Sequence, residues 1–109
     1  MNDIKEITQA LLKFRDERDW AQFHNAKDLA LALNIEAGEL LEAFLWKHAE
    51  QADIDKVKEE LADVFAFALL LAERYDFDVK QIVLEKIEKN ALKYPVAKAK
   101  GIAKKYTDL

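Results

Sequence analysis

The segment over residues 53–75, DIDKVKEELADVFAFALLLAERY, decides the fold class because its apolar residues recur at the three- and four-residue steps of an amphipathic α-helix. The recurring positions are Ile54, Val57, Leu61, Val64 and Ala68. The most apolar part, residues 61–72, is too short to cross a bilayer, which requires about 20 residues. We therefore predict a long helix of a soluble protein.

Two further helices are predicted before this segment, because the same helical period continues towards the N-terminus. The first is expected over about residues 3–18, where Asp3 and Glu6 resemble a capping box. Asn25 is expected to cap the second helix, and residues 48–52 are expected to connect it to the third.

A fourth helix is predicted after the long segment. Asp78 and Gln81 mark its start, and Pro95 ends it because proline lacks an N–H and disfavours helix at the preceding residue. Four helices joined by short connections indicate an all-α, four-helix bundle-like fold. Neither a linker nor a repeat separates the helices, so a single domain over residues 1–109 is expected.

The composition excludes several classes of protein. The chain has 109 residues with two Gly and one Pro, which argues against an all-β fold. It contains no Cys and no Ser, which excludes disulfides, zinc–sulfur sites and nucleophiles of either type. The net charge of −4 argues against binding of a nucleic acid polymer. The first residues carry no apolar signal core, so a cytoplasmic protein without a membrane partner is predicted.

Four acidic residues lie at or near helix faces that should be apolar. Glu36 shares a stripe with leucines of the second helix, and Glu39 is about 60° away around the same helix. Glu60 falls between valines at helical spacing, and Asp63 is the one charged residue in the apolar part of the third helix. Buried carboxylates cost several kcal/mol each unless they are compensated.

A divalent cation would compensate these carboxylates. Ligands that are all oxygen favour Mg²⁺ over zinc, with Mn²⁺ as the alternative. Two other interpretations stay open at this point. The acids can border the apolar stripes and be solvated, or they can hold a di-iron site. A di-iron site requires Glu-x-x-His pairs, and no His follows Glu36, Glu39 or Glu60 at that spacing.

Aromatic and polar residues cluster before the second helix. Trp20 and Phe23 could sandwich a planar base while Gln22 and His24 read its edge, and Trp46 lies near the end of the same helix. The alternative is a hydrophobic staple beneath a loop. Later in the chain, Asn90 and Lys93 could contact a substrate, or they could face water. The lysine-rich tail that follows could likewise be a solvated surface or an aid in binding a polyphosphate.

Six motifs, which cover most of the chain in order, identify a family. They are ERDWAQFH at residues 17–24, EAGEL at 36–40, FLWK at 44–47, EELADV at 59–64, NALKYP at 90–95 and KYTDL at 105–109. The sequence resembles the MazG-like all-α nucleoside triphosphate pyrophosphohydrolases, in the branch that contains the dCTP pyrophosphatases. The acidic pairs alone would be weak evidence, whereas their combination with the aromatic and KYP motifs is specific.

The resemblance implies a set of site residues. Glu36, Glu39, Glu60 and Asp63 would bind Mg²⁺. Independently of the resemblance, we expect one of these carboxylates, Glu39 first or else Glu36, to activate water. The nucleotide pocket would include the members of the two aromatic motifs and of the later segments, namely Trp20, Gln22, Phe23, His24, Trp46, Phe67, Asn90 and Lys93. Phe67 takes a position where some relatives have a tyrosine.

The resemblance further implies a homotetramer, or at least a dimer, with sites built partly at subunit contacts. The apolar residues of the third helix agree with this, because they cannot all face one core. The implied reaction is hydrolysis of a nucleoside triphosphate, dCTP first, to the monophosphate and pyrophosphate in nucleotide-pool house-cleaning. The alternatives are a non-catalytic nucleotide- or metal-binding oligomerisation module and an all-α enzyme resembling dUTPases.

Overall fold

The computed structural model describes residues 2–109, and every regular element within this range is helical. The long helices are α1 (Asp3–Glu17), α2 (Ala26–Glu42), α3 (Ile54–Arg74) and α4 (Val79–Lys93), followed by the short α5 (Val96–Ala99). Three 3₁₀ helices lie at Ala21–Phe23, Ala49–Gln51 and Tyr106–Asp108. The all-α prediction is confirmed, and the four long helices lie where the sequence predicts them.

The helix starts follow from side-chain caps, which satisfy backbone N–H groups that have no partner in the first turn. Asn25 Oδ1 accepts from the N–H of Asp28 at 2.9 Å, as predicted for α2. Asp78 Oδ1 accepts from the N–H of Gln81 at 3.0 Å, as predicted for α4. These two caps fix where α2 and α4 begin.

The predicted capping box of Asp3 and Glu6 is wrong. The cap of α1 is Asn2, whose Oδ1 accepts from the N–H of Lys5 at 2.7 Å. Asparagine caps helices as well as aspartate does. This register leaves Asp3 and Glu6 in the first turn, where their negative charges interact favourably with the positive end of the helix dipole.

The chain divides into two compact units, one that ends at Phe77 and one that spans Asp78–Leu109. In the first unit, α3 packs against α2 and, over a smaller area, against α1. The buried residues come mainly from α2 and α3, and they are Leu29, Ala43, Leu69, Leu70 and Ala72. One domain over residues 1–109 stays a prediction.

Large apolar side chains remain exposed in the first unit, because α2 and α3 bury only the faces that pack against each other or against α1. Leu31 and Ile35 of α2 and Phe65 of α3 are all exposed. The two-sided apolar character predicted for α3 is therefore present, since Leu69 and Leu70 are buried while Phe65 is not. Among residues 2–109, no helix has the combined length and hydrophobicity needed to cross a membrane.

In the second unit, the C-terminal segment contacts the end of α4. The backbone N–H of Tyr106 donates to Tyr94 Oη at 3.2 Å, and the two rings meet edge to face with centroids 6.1 Å apart. The ammonium of Lys93 lies 4.9 Å from the centre of the Tyr106 ring. α4 ends at Lys93, two residues before Pro95, as predicted.

Candidate functional site

Two packed helices bring acidic side chains together. Residues three apart on a helix are neighbours on its surface, so α2 presents Glu36 beside Glu39, and α3 presents Glu60 beside Asp63. Carboxylate oxygens of Glu36, Glu60 and Asp63 lie within 4.8 Å of one another. We call these three residues the carboxylate group. Glu39 is not one of the three, although its side chain lies within hydrogen-bonding reach of Glu36 and Glu60 and helps to raise the pKa of both.

The carboxylate group is electrostatically strained. Loss of solvation raises the pKa of Glu36 to about 7, and the neighbouring carboxylates of Glu39, Asp63 and Glu60 add to this rise. Loss of solvation also raises the pKa of Glu60, again with contributions from Glu39 and Asp63. Lys56 acts against the rise at Glu60 without cancelling it. The packing of α2 on α3 thus holds these carboxyl groups close together, although their negative charges repel one another.

The carboxylate group fits a divalent cation. Glu36 Oε2 and Glu60 Oε2 are both buried, and neither has a hydrogen-bond partner in the described part of the chain. Buried polar atoms are almost always paired, so two orphaned oxygens in one cluster indicate a missing partner. An ion that prefers oxygen ligands, such as Mg²⁺, would satisfy both atoms and neutralise the repulsion.

A tight turn follows α1 and carries the predicted aromatic cluster. We call residues 19–24 the aromatic turn. The N–H of Trp20 donates to the carbonyl of Arg15 at 3.0 Å, which bends the chain back onto the end of α1. Trp20 is 44% exposed and Phe23 is 61% exposed, so both rings offer open surface. An edge-to-face contact with Phe14 at 5.9 Å supports one side of Trp20.

His24 is the one half-buried polar side chain of the aromatic turn. Its Nδ1 is buried without a hydrogen-bond partner among residues 2–109. Burial lowers the pKa of His24 below its usual 6.5, and the positive charge of Arg15 lowers it further. The imidazole is therefore neutral at pH 7, so it offers one nitrogen as a donor and the other as an acceptor.

Gln22 makes its contacts within the aromatic turn. Its Nε2 donates to the carbonyl of Asp19 at 2.9 Å and to Asp19 Oδ2 at 3.1 Å. Asp19 belongs to the ERDWAQFH motif but is not predicted to be a site residue, and its φ of +54° lies in the left-handed region. The only available signal is that the helical period stops at this residue.

Trp46 and Phe67 differ in exposure. Trp46 follows α2 in a turn with φ of +62° and is 93% exposed, whereas Phe67 is half-buried on α3. Asn90 and Lys93 belong to the second unit, where both are exposed on α4. Lys93 lies against Tyr106, a contact that sequence reasoning missed because no local pattern links the two residues.

Comparison with known proteins gives consistent matches. The MazG-like family matches residues 31–109. Similar proteins include dCTP pyrophosphatase 1 of Mus musculus, 41% identical over 97% of this chain and 67% of its own length. The protein of the same name from Bos taurus is 40% identical over 97% of this chain and 68% of its own length.

A solved structure matches as well. It is a pyrophosphatase from Archaeoglobus fulgidus DSM 4304, with a TM-score of 0.81 and 35% sequence identity. The match covers 87% of this chain and 94% of that one.

Proposed function

Because the chain belongs to the MazG-like family, we propose that it is a nucleoside triphosphate pyrophosphohydrolase that converts dCTP, or a related deoxynucleoside triphosphate, to the monophosphate and pyrophosphate. The observation that carries this proposal is the carboxylate group, whose three members converge within 4.8 Å and include two orphaned buried oxygens. The biological role would be house-cleaning of the nucleotide pool.

Glu36, Glu60 and Asp63 would hold Mg²⁺, with Mn²⁺ as the alternative, and Glu39 would complete the acidic surroundings. A cation bound there supplies neutralisation of phosphate charge and activation of a water molecule. The residues themselves contribute a fixed arrangement of carboxylates on two packed helices. This rigidity supports precise placement of the triphosphate, because helices hold side chains more firmly than loops do.

Glu39 is our first choice for the general base, with Glu36 as the alternative. Glu39 lies beside Glu36 and Glu60 without being one of the three converging carboxylates, so we assign it to the water molecule and the other three to the cation. Water attacks the α-phosphorus while its proton passes to Glu39. The bond from that phosphorus to the bridging oxygen breaks, and the bridging oxygen leaves with pyrophosphate. No covalent intermediate on the protein is required.

The aromatic turn would bind the base. Trp20 and Phe23 provide exposed ring faces for stacking, and neutral His24 provides its second ring nitrogen, Nε2, for the polar edge of a base, since its Nδ1 is buried. We propose a preference for pyrimidines, with dCTP first. Phe67 would add an apolar contact. Asn90 and Lys93 would contact the substrate through an amide and an ammonium.

We also propose that the protein assembles as a homotetramer or a dimer. Exposed apolar side chains on α2 and α3 support this, because monomers rarely leave such faces in water. Trp46, almost fully exposed, would reach the site of a neighbouring protomer. A cytoplasmic location and a free nucleotide substrate, rather than a nucleic acid polymer or a membrane, complete the proposal.

Product analysis tests this function. The protein is incubated with dCTP and Mg²⁺, and the products are separated by chromatography. Release of dCMP and pyrophosphate is expected, whereas release of orthophosphate would contradict the proposal. Glu60→Gln should remove the activity and Glu59→Gln should keep it, because Glu59 is the exposed neighbour on the same helix. Stabilisation by metal without any hydrolysis would favour a non-catalytic binding module.

A further inference from the structure

One side chain holds the aromatic turn closed on itself. Gln22 Nε2 donates to the carbonyl of Asp19 at 2.9 Å and to its Oδ2 at 3.1 Å. Both acceptors belong to Asp19, so the Gln22 nitrogen is directed into the turn. Its hydrogen bonds are therefore made within the turn before any nucleobase binds.

The residue that accepts these bonds has an uncommon backbone conformation. Asp19 has a φ of +54°, which few residues other than glycine adopt, although aspartate tolerates it better than most. The backbone N–H of Asp19 donates to the carbonyl of Asp16 at 3.1 Å. The two bonds from Gln22 hold the carbonyl and the carboxylate of Asp19, so hydrogen bonds restrain its N–H, its carbonyl and its side chain.

The rings of the aromatic turn depend on this backbone for their placement. Trp20 directly follows Asp19, and Phe23 directly follows Gln22. The N–H of Phe23 donates to the carbonyl of Trp20 at 2.9 Å, and the N–H of His24 donates to the carbonyl of Ala21 at 3.1 Å. Rotation at Asp19 would thus move all three aromatic side chains together.

We propose that Asp19 and Gln22 are positioning residues that form a clamp, and that this clamp presents Trp20, Phe23 and His24 to the base without touching it. The inference rests on the proposed function, because it assumes that a base binds to the aromatic turn. It gives Gln22 a different role from the edge-reading role predicted from the sequence.

The two roles of Gln22 differ in what they do to base preference. A side chain that reads a base edge discriminates between bases, because the wrong base leaves a polar group unpaired. A clamp that only places the rings affects every base alike, since stacking accepts any base. The ratio of kcat/KM between nucleotides therefore separates the two roles.

The test compares single variants with a double variant in which the hydrogen-bond donor and acceptor exchange positions. Gln22→Glu removes the donor and places a second carboxylate beside Asp19. KM should rise about two- to tenfold by the same factor for dCTP, dUTP and dATP, with a smaller change in kcat. Gln9→Glu is the matched control, because it makes the same change at an exposed position of α1 outside the aromatic turn and should stay close to the wild type.

The double variant D19N/Q22E restores a donor–acceptor pair in the opposite direction. It should reverse part of the rise in KM seen in Q22E, because the side-chain pair is restored while the bond to the main-chain carbonyl of residue 19 stays lost. A change of more than about fivefold in the preference between bases would overturn the clamp and indicate edge reading. An unchanged KM in Q22E, or a double variant no better than Q22E, would also overturn it.

A measurement without substrate separates the clamp from the proposed activity. The chain has two tryptophans, so the variant Trp46→Phe leaves Trp20 as the only indole reporter. In that background, Q22E should shift the fluorescence emission of Trp20, and D19N/Q22E should return it. Hydrolysis by the wild type with no such shift would overturn the clamp. A shift in a protein that hydrolyses no nucleotide would overturn the proposed function instead.

Discussion

Glu36 on α2 and Glu60 on α3 each place a carboxylate oxygen within 4.8 Å of the other, although they belong to different helices. The pKa of each carboxyl group is raised by loss of solvation and by the other acids nearby. Two like charges brought this close destabilise the folded chain unless a proton or a cation lies between them. The stability of the protein should therefore respond to both.

The metal-free protein should lose stability as the pH rises from 4.5 to about 7. Folding raises the pKa of Glu36 from 4.5 to about 7, so the folded state binds more protons than the unfolded state within this window. The free energy of unfolding therefore falls with increasing pH between these values. Urea unfolding at closely spaced pH values, with a chelator present, measures the slope.

The titration of His24 changes the free energy of unfolding in the opposite direction, so the measurement needs a control. Its pKa is lowered by folding, so its contribution to stability is lost as the pH falls below about 6.5. Comparing the wild type with Glu36→Gln isolates the glutamate, since His24 is the same in both. Glu59→Gln should keep the wild-type slope. Identical slopes in the wild type and in Glu36→Gln would contradict the prediction.

Mg²⁺ should stabilise the protein, and more strongly at pH 8 than at pH 6. The cation must displace the proton held by Glu36, and it competes better when that proton has already left. At a concentration of about 100 times its dissociation constant, the gain is about 2.7 kcal/mol. Thermal unfolding with and without Mg²⁺ measures it. Equal stabilisation at both pH values would show that the ion binds elsewhere.

Glu39→Gln and Glu60→Gln should both lower the activity, but they should differ in their effect on Mg²⁺ binding. Glu39 lies outside the carboxylate group, so its loss should lower kcat about 10²- to 10⁴-fold while leaving the stabilisation by Mg²⁺ largely intact. Glu60 lies inside it, so its loss should weaken that stabilisation as well. Calorimetric titration with Mg²⁺, alongside steady-state kinetics, distinguishes the two. A Glu39→Gln variant that no longer binds Mg²⁺ would make Glu39 a ligand instead of the base.

Two inactive variants should restore activity when they are mixed. Trp46→Ala removes an exposed ring and should spare the fold of its own chain, and Glu60→Gln disables the carboxylate group. If Trp46 completes the site of a neighbouring protomer, then some mixed oligomers contain one site with both residues intact. Denaturing and refolding the two variants together tests this. Activity no greater than the sum of the separate variants would place Trp46 in the site of its own chain.

Much of the fold could be predicted because its signals are local. Asn25 and Asp78 cap the helices they were expected to cap, since a capping side chain acts within three residues. The convergence of Glu36, Glu60 and Asp63 could also be anticipated, because acids on apolar stripes must face a partner helix. The cap of α1 is not predicted correctly, because Asn2 and Asp3 are both good caps and the sequence does not decide between them.

The features that escaped prediction depend on backbone dihedral angles or on distant contacts. Asp19 adopts a positive φ without the glycine that usually signals such a turn. The double hydrogen bond from Gln22 follows from that conformation, so it could not be foreseen either. The contact between Lys93 and Tyr106 joins residues across a loop, and no sequence period encodes it.

The small interior of the first unit determines which mutations the protein should tolerate. The buried residues named above include Ala43 and Ala72, where a larger side chain would collide with closely packed neighbours. Most other apolar positions lie at the surface of the isolated chain, where polar replacements cost little unless another protomer covers them. In a saturation mutagenesis scan, positions that are exposed here yet intolerant of polar residues would therefore outline the faces between protomers.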